Sequence, residues 1–418
     1  MLRAISGTIL ARIVTTVMGL LVAVIAGHRM GAEGLGVIGL VVLGITLVRL
    51  GMDLMGGGAI VYLVPRVALG RLLPPCYLWA LAAAALGYGL VALLGLVPGG
   101  YAGHVAVLAL LQGINAIHLN VLVGQQRIRA NNHITMVQSL ALVAAFMLLS
   151  RAAHTNAMDY VDAAYVSVIA ALLLSTWAMR KQVPTRGQAP VNVLGILLKQ
   201  GVYVQLANAT QLLNYRLAYW LIGKFQGTAM LGIYTVANQL AEGAWLVPKS
   251  LAVVLYSKIS NTHMAEQQRL LTLTFLKTAM ACATAVILVL LLLPSALFQW
   301  AFGPEITGIT PLIAWLAPGI LSMSASQAFS HFFSGTARNV HNLIGSALGL
   351  VSTVVAGLVL IPRLGLPGAA IAASCAYGLS AMYQTVAFMR VTGTRFSDLW
   401  PNAADGRRAR ELFGRLYK

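Results

Sequence analysis

The segment GHRMGAEGLGV at residues 27–37 returns as GKFQGTAMLGI at residues 223–233, with Gly27, Gly31, Leu35, Gly36 and Val37 matched by Gly223, Gly227, Leu231, Gly232 and Ile233, each displaced by 196 positions. Both copies sit between two long apolar runs. At the same offset Pro98 maps onto Pro294, and further along Gly124, Arg127 and Asn131 map onto Gly335, Arg338 and Asn342 at an offset of 211. Glycine marks turns in any polytopic chain, so one match alone would carry little. Three matches in the same order point to a duplicated unit. In transporters built from such repeats the substrate site lies between them, near the bilayer midplane.

The composition agrees with a chain made for lipid. Of 418 residues, 59% are hydrophobic and 9% charged, against about 25% charged in soluble domains, which excludes an ordinary water-soluble enzyme. A bilayer core of about 30 Å needs roughly 20 apolar residues per helix. Twelve runs of suitable length can be placed: 5–26, 36–63, 74–97, 104–124, 134–151, 160–179, 200–222, 230–255, 273–299, 309–334, 343–361 and 366–389. The first is not read as a secretory signal, because Arg12 interrupts it and eleven further runs follow. The expected fold is an all-α polytopic membrane protein with twelve transmembrane helices in two six-helix lobes around a central cavity. Residues 1–180 form the N-terminal lobe, 181–199 a cytoplasmic linker, 200–390 the C-terminal lobe and 391–418 a basic cytoplasmic tail. An even number of helices per repeat sets the repeats in the same sense, with their axis along the membrane normal. Cys76, Cys282 and Cys375 lack metal-ligand spacing, so neither a disulfide framework nor a zinc site is expected.

The net charge of +18, from 28 Lys and Arg against 10 Asp and Glu, would suggest nucleic acid in a soluble protein. Sorted by loop, it is topology. With the N-terminus inside, 21 basic residues fall on the cytoplasmic side and four, Arg29, Arg151, Lys224 and Arg363, on the other, as basic retention requires. Both termini are then cytoplasmic, and the tail RRARELFGRLYK has the composition of an amphipathic helix on anionic lipid. No nucleic-acid partner is expected.

Five ionisable residues remain deep within apolar runs, away from the loop-proximal ends: Arg12, Arg49, Asp53, Arg216 and Glu242. Each costs about 2.5–3.5 kcal/mol at a helix centre on insertion scales, so such groups face a bundle interior or an aqueous cavity. Arg49 and Asp53 are four apart and share a helix face. In the seventh run Gln205, Asn208, Tyr215, Arg216 and Tyr219 make a polar stripe; in the eighth, Tyr234, Asn238 and Glu242 recur every four residues. The tenth offers a weaker surface of Ser322, Ser326, Gln327, Ser330, His331 and Ser334, and the fourth offers Gln112, Asn115 and His118. Arg49 with Asp53, and Arg216 with Glu242, read either as pairs that fix helix packing or as ligand-binding groups. His118 and His331 read as packing residues before proton carriers. Three Arg against two acids make the lining mildly cationic. A guanidinium fork donates two hydrogen bonds to paired phosphate oxygens, while Asn, Gln, Ser and Tyr suit the hydroxyls of a sugar.

The stretches GTILARIVTTVMGLLVAVIAGHRMGAEGLGVIGLVVL (7–43), NYRLAYWLIGKFQGTAMLGIYTVANQLAEGAWLVPKSLAVVLYSKIS (214–260) and PRLGLPGAAIAAS (362–374) resemble the Wzx-type polysaccharide flippases, which move lipid-linked oligosaccharides, of the multidrug/oligosaccharidyl-lipid/polysaccharide exporter (MOP) superfamily. The resemblance covers nearly all twelve runs. It implies two lobes alternating access around a cavity in the bacterial cytoplasmic (inner) membrane, and a polyprenyl-diphosphate-linked oligosaccharide carried from the cytoplasmic to the external leaflet for surface polysaccharide biosynthesis. Arg216 matches the arginine usual in the seventh helix of these proteins, and Glu242 the frequent acid of the eighth. Arg12 and Arg49 lie on the two helices that supply cationic cavity residues in related flippases of lipid-linked peptidoglycan precursors. Where many relatives carry an Asp two residues after the seventh-helix arginine, this chain has Ala218, so a coupling role would fall on Glu242 or Asp53. The implied substrate-binding set is Arg12, Arg49, Arg216, Asn208, Tyr234 and Asn238. The implied partners are membrane lipid and the lipid-linked anionic oligosaccharide, with a polysaccharide polymerase or chain-length protein as a candidate; no cofactor or metal is implied.

Two rivals are weighed against this. A cation-coupled multidrug exporter of the same superfamily needs an acidic or aromatic lining. A membrane glycosyltransferase, polymerase or ligase needs catalytic acids or histidines in a large external loop, whereas the external acids here are scattered, one or two to a loop, and no P-loop occurs. The chain is therefore read as a non-enzyme. The topology predicts that a cysteine at Tyr101 reacts with an impermeant maleimide from outside intact cells and one at Arg127 only after permeabilisation; the reverse pattern would invert the assignment.

Overall fold

The computed structural model describes residues 2–400 apart from 65, 152–155, 181–192, 337 and all but four positions of 246–263. The basic stretch after residue 400 and most of the expected linker lie outside the described residues, as do some side chains within helices. The described regular structure is helical: α1 (Leu2–Gly56), α2 (Gly58–Leu63), α3 (Leu69–Leu93), α4 (Ala102–Gly124), α5 (Ile128–Leu149), α6 (Ala157–Arg180), α7 (Val193–Phe225), α8 (Thr228–Gly243), α9 (Ala265–Leu292), α10 (Ser295–Phe302), α11 (Ile309–Gly335), α12 (Val340–Leu364) and α13 (Leu366–Thr392), with a closing 3-10 turn at Phe396–Leu399. Eight helical stretches among the described residues are long and apolar enough to cross a membrane. Apolar side chains left on the surface, such as Leu93, Leu173, Leu292 and Val351, are expected where the surrounding medium is hydrocarbon.

The helices gather into two compact units. One comprises 1–209 with Thr228–Gly232 and Gln299–Ile306; the other comprises Thr210–Gly227, Ile233–Phe298 and 307–418. The repeat read from the sequence has a conformational basis in both places. Gly31 breaks α1 with φ 66° and ψ −164°, and Gly227, 196 residues on, caps α8 with φ 88°; both lie in the region that favours glycine. The second match is a shared turn. The amide of Arg127 donates to Leu122 O at 2.8 Å and that of Arg338 to Phe333 O at 2.7 Å, while the amides of Gln125 and Thr336 donate to Val121 O and Phe332 O. Every pair differs by 211 positions.

The second expected run is split. Gly57 interrupts it between α1 and α2, and its amide still donates to Asp53 O at 2.9 Å. Backbone oxygens freed or exposed near such a break need partners in a bilayer. The Cys76 thiol donates to Met55 O at 3.2 Å and the Trp79 indole to Gly51 O at 2.9 Å, both from α3.

In the second unit α12 turns a stripe of small residues, Gly345, Gly349, Thr353 and Gly357, to its neighbours. Small residues let membrane helices approach closely. A Cβ at Gly349 would come within 2.5 Å of Asn214 Nδ2, and one at Gly357 within 2.8 Å of Leu221. The Thr353 hydroxyl donates to Asn214 Oδ1 at 2.6 Å, so a buried amide fixes the register of α7 on α12. Asn214→Leu should lower the stability of the detergent-solubilised protein by about 1–2 kcal/mol, because the Thr353 hydroxyl loses its 2.6 Å acceptor and keeps only the residue's backbone carbonyl at 3.5 Å; an unchanged thermal midpoint would remove Asn214 from this role.

Candidate functional site

Part of the polar stripes of the seventh and eighth runs meets in the second unit. Arg216, on α7, places its guanidinium 3.9 Å from the Glu242 carboxylate of α8 and 4.9 Å from the centre of the Tyr219 ring. Asn238, one turn before Glu242, donates through Nδ2 to Glu242 Oε1 at 2.8 Å and to the Tyr219 hydroxyl at 3.2 Å. Tyr234, a turn earlier again, meets Tyr219 edge to face at 5.7 Å. Spacings of four on α8 and three on α7 bring these five groups onto facing helix surfaces. The ends of the cluster differ in openness. Tyr219, Tyr234 and Asn238 are buried, whereas the Arg216 and Glu242 side chains keep 34% and 23% of their surface. The arrangement presents a guanidinium whose orientation is fixed from behind and whose remaining donors can reach an oxyanion.

Other expected site residues are placed separately. Asn208 lies on α7, and its side chain is outside the described ones. Arg12 is exposed on α1, where the hydroxyls of Thr15 and Thr16 bond its carbonyl at 2.9 Å. Arg49 and Asp53 are partly buried one turn apart on α1, beside the Gly57 break. The Arg49 Nε is buried with no hydrogen-bond partner.

The weaker polar surface expected on the tenth run turns inward to protein. Ser326 donates to Gln384 of α13 at 2.6 Å, and Asn342 of α12 donates to Ser330 O and to the Ser334 hydroxyl at 3.1 and 3.0 Å. These serines join helices. On α4, His118 is held on both ring nitrogens, by the Tyr77 hydroxyl at 2.8 Å and the Ser175 hydroxyl at 3.0 Å, as expected of a packing residue. Two aromatic groups beside the cluster had no signal in the sequence stripes. Trp245 donates its indole N–H to Ile320 O at 3.0 Å and meets Tyr377 edge to face at 6.0 Å. Tyr377 sits in a mainly small-residue helix, and only the fold brings it to Trp245.

Comparison with protein-family models and with curated proteins returns no match. Solved structures do match. The lipid II flippase MurJ in an inward closed conformation aligns with a TM-score of 0.74 at 13% identity, covering 100% of this chain and 92% of its own. A multidrug resistance MATE family transporter of the MOP superfamily, inward-facing, aligns with a TM-score of 0.73 at 15% identity over 91% of this chain and 94% of that one. The chain shares the fold of these two structures. A third similar structure is a MOP superfamily transporter from Pyrococcus furiosus, reported for a binding pocket of reverse polarity, with a TM-score of 0.66 at 15% identity over 94% and 96% of the two chains. Within this fold the cluster belongs to the second unit, and Arg12, Arg49 and Asp53 to the first.

The geometry makes Arg216 and Glu242 a coupled pair. Glu242→Ala alone should lower stability by about 1–2 kcal/mol, because the ion contact is long and partly exposed and the Asn238 hydrogen bond is lost with it. The Arg216→Ala/Glu242→Ala double variant should lose less than the sum of the singles. Strict additivity in thermal unfolding would mean that the two charges do not interact.

Proposed function

We propose that the chain is a flippase with twelve membrane helices and cytoplasmic termini, carrying a polyprenyl-diphosphate-linked oligosaccharide from the inner to the outer leaflet of a bacterial cytoplasmic membrane for surface polysaccharide synthesis. Arg12, Arg49 and Arg216 hold the diphosphate. Asn208, Tyr234 and Asn238 serve the sugar, and Glu242 or Asp53 serves coupling. A polysaccharide polymerase or chain-length protein is the proposed downstream partner. The observation that carries this reading is the state of Arg216: a partly open guanidinium, braced by Glu242 and by the Tyr219 ring, is prepared for an anion. The resemblance of the fold to a lipid II flippase supports a lipid-linked cargo.

One observation favours a second reading, a cation-coupled multidrug exporter. Aromatic rings of Tyr219, Tyr234, Trp245 and Tyr377 belong to the same unit as the Glu242 carboxylate, and rings with an acid are a combination that also attracts organic cations. The two readings separate in a deletion strain. The flippase reading expects accumulation of a lipid-linked oligosaccharide and unchanged drug sensitivity; the exporter reading expects the opposite.

Arg12→Ala and Arg216→Ala, expressed at the parental level, should each fail to restore surface polysaccharide to that strain. Arg216→Lys should restore it only in part, because an ammonium cannot reproduce the bidentate fork. Full restoration by both alanine variants would remove these residues from substrate binding.

A further inference from the structure

Two segments from the second half of the chain, Thr228–Gly232 and Gln299–Ile306, are built into the first unit. They meet the bend of α1 between Gly27 and Gly36. A Cβ at Gly36 would overlap the Thr228 carbonyl oxygen, and a Cβ at Gly232 would overlap the Ala32 carbonyl oxygen. Ala32 and Thr228 are 196 apart, as are Gly36 and Gly232, so the duplicated turns hold each other reciprocally. The segment 299–306 adds a second contact. A Cβ at Gly27 would overlap Phe302 O, and Gly303, with φ 105°, would place one 2.6 Å from Gly27 O. The imidazole Nε2 of His28 is 2.8 Å from Trp300 O. Glu305 completes the contact, its Oε2 accepting the amide hydrogen of Ala32 at 2.9 Å.

Ala32 is the first residue after the break at Gly31. Its N–H therefore begins a helical segment whose opening amides lack partners within the helix. A carboxylate at such a terminus makes a charge-assisted hydrogen bond and meets the positive end of the helix dipole. The cap comes from a residue 273 positions away in the chain. By the loop charges, all these segments are external.

We propose that Glu305 is a positioning residue for the transport cycle: its carboxylate caps α1 at Ala32 and latches the 299–306 segment onto the first repeat's turn, holding this external junction of the first unit closed. Opening the junction requires Glu305 to leave Ala32 and the paired glycine contacts to part. Backbone packed on glycine has little room for gradual adjustment, so the latch has a closed and a released form and few states between. The proposal rests on the transporter reading above but on no particular cargo.

The test reads external accessibility without substrate. In a chain with Cys76, Cys282 and Cys375 changed to Ser, Ala32→Cys is the probe, since Ala32 is 4% exposed. Tyr101→Cys, in the external turn before α4 and outside the latch segments, serves as the reference for amount and sidedness. Labelling by an impermeant maleimide from outside should rise about tenfold or more at Ala32→Cys when Glu305→Ala is added, the equilibrium effect of losing one charge-assisted hydrogen bond. Glu305→Gln, which keeps an acceptor oxygen, should give a smaller rise. Gly232→Ala, which acts through the Ala32 carbonyl and not through Glu305, should raise labelling in the same direction. Unchanged labelling in Glu305→Ala and Gly232→Ala, with the reference constant, would overturn the latch. So would an equal rise at Ala109→Cys, a fully buried position on α4, because that reports general loss of structure. Failure of the latch leaves the cargo assignment standing, since no cargo enters the measurement; a changed cargo likewise leaves the latch standing.

Discussion

A guanidinium among apolar helices must be enclosed or hydrated, and the second half of this chain is arranged around that demand at Arg216. Arg216 leans on Glu242 and lies over Tyr219; Glu242 is gripped by Asn238, and Asn238 also bonds Tyr219. Removing any member leaves a polar group in the interior without its partner. The same demand sets the rotation of α7. Residues 214 and 216 are about 200° apart around a helix, so when Asn214 is committed to Thr353 of α12, Arg216 must point away from α12 and toward α8. The amide in the packing surface and the charge in the site are one decision about how α7 is turned.

The first unit meets the cost of polarity differently. Its charges are less enclosed: Arg12 is exposed, and Arg49 has a buried Nε without a hydrogen-bond partner. What is carefully satisfied there is backbone. The interruption at Gly57 would leave a carbonyl oxygen facing apolar surroundings, and the Cys76 thiol of α3 donates to Met55 O there, while the Trp79 indole adds a bond to Gly51 O one turn earlier. Cys76 is conspicuous in the sequence only as an isolated cysteine; its position opposite a helix break gives it a donor's role.

Much of this was readable before any coordinates. Gly31 and Gly227 are glycine because both turns need positive φ, and Gly36 and Gly232 because backbone passes where a side chain would stand; one physical requirement imposed twice leaves the fixed offset of 196. The stripes on α7 and α8 were legible because helical spacing is local. Glu305 was not, since a contact across 273 residues has no period, and it looked like any acid in a short loop. The serines of α11 show a different limit. In water a polar face turns outward, but in lipid it turns to whatever can satisfy it, and for Ser326 and Ser334 that is Gln384 and Asn342 rather than a cavity.

The alanine at 218 sharpens what Glu242 is asked to do. Two residues after Arg216 the chain carries a buried Ala218, so Glu242 is the acid that Arg216 faces. On the proposed function, a diphosphate and the Glu242 carboxylate then compete for one guanidinium. An ion contact of 3.9 Å between partly open side chains is a weak tie, well below the geometry of a bidentate pair, and a dianionic headgroup with paired oxygens is the better partner. Cargo binding would release Glu242 to Asn238 and to any cation that can reach it. Holding Arg216 loosely is therefore compatible with both roles: tight enough to orient an empty site, and loose enough for the cargo to displace the acid.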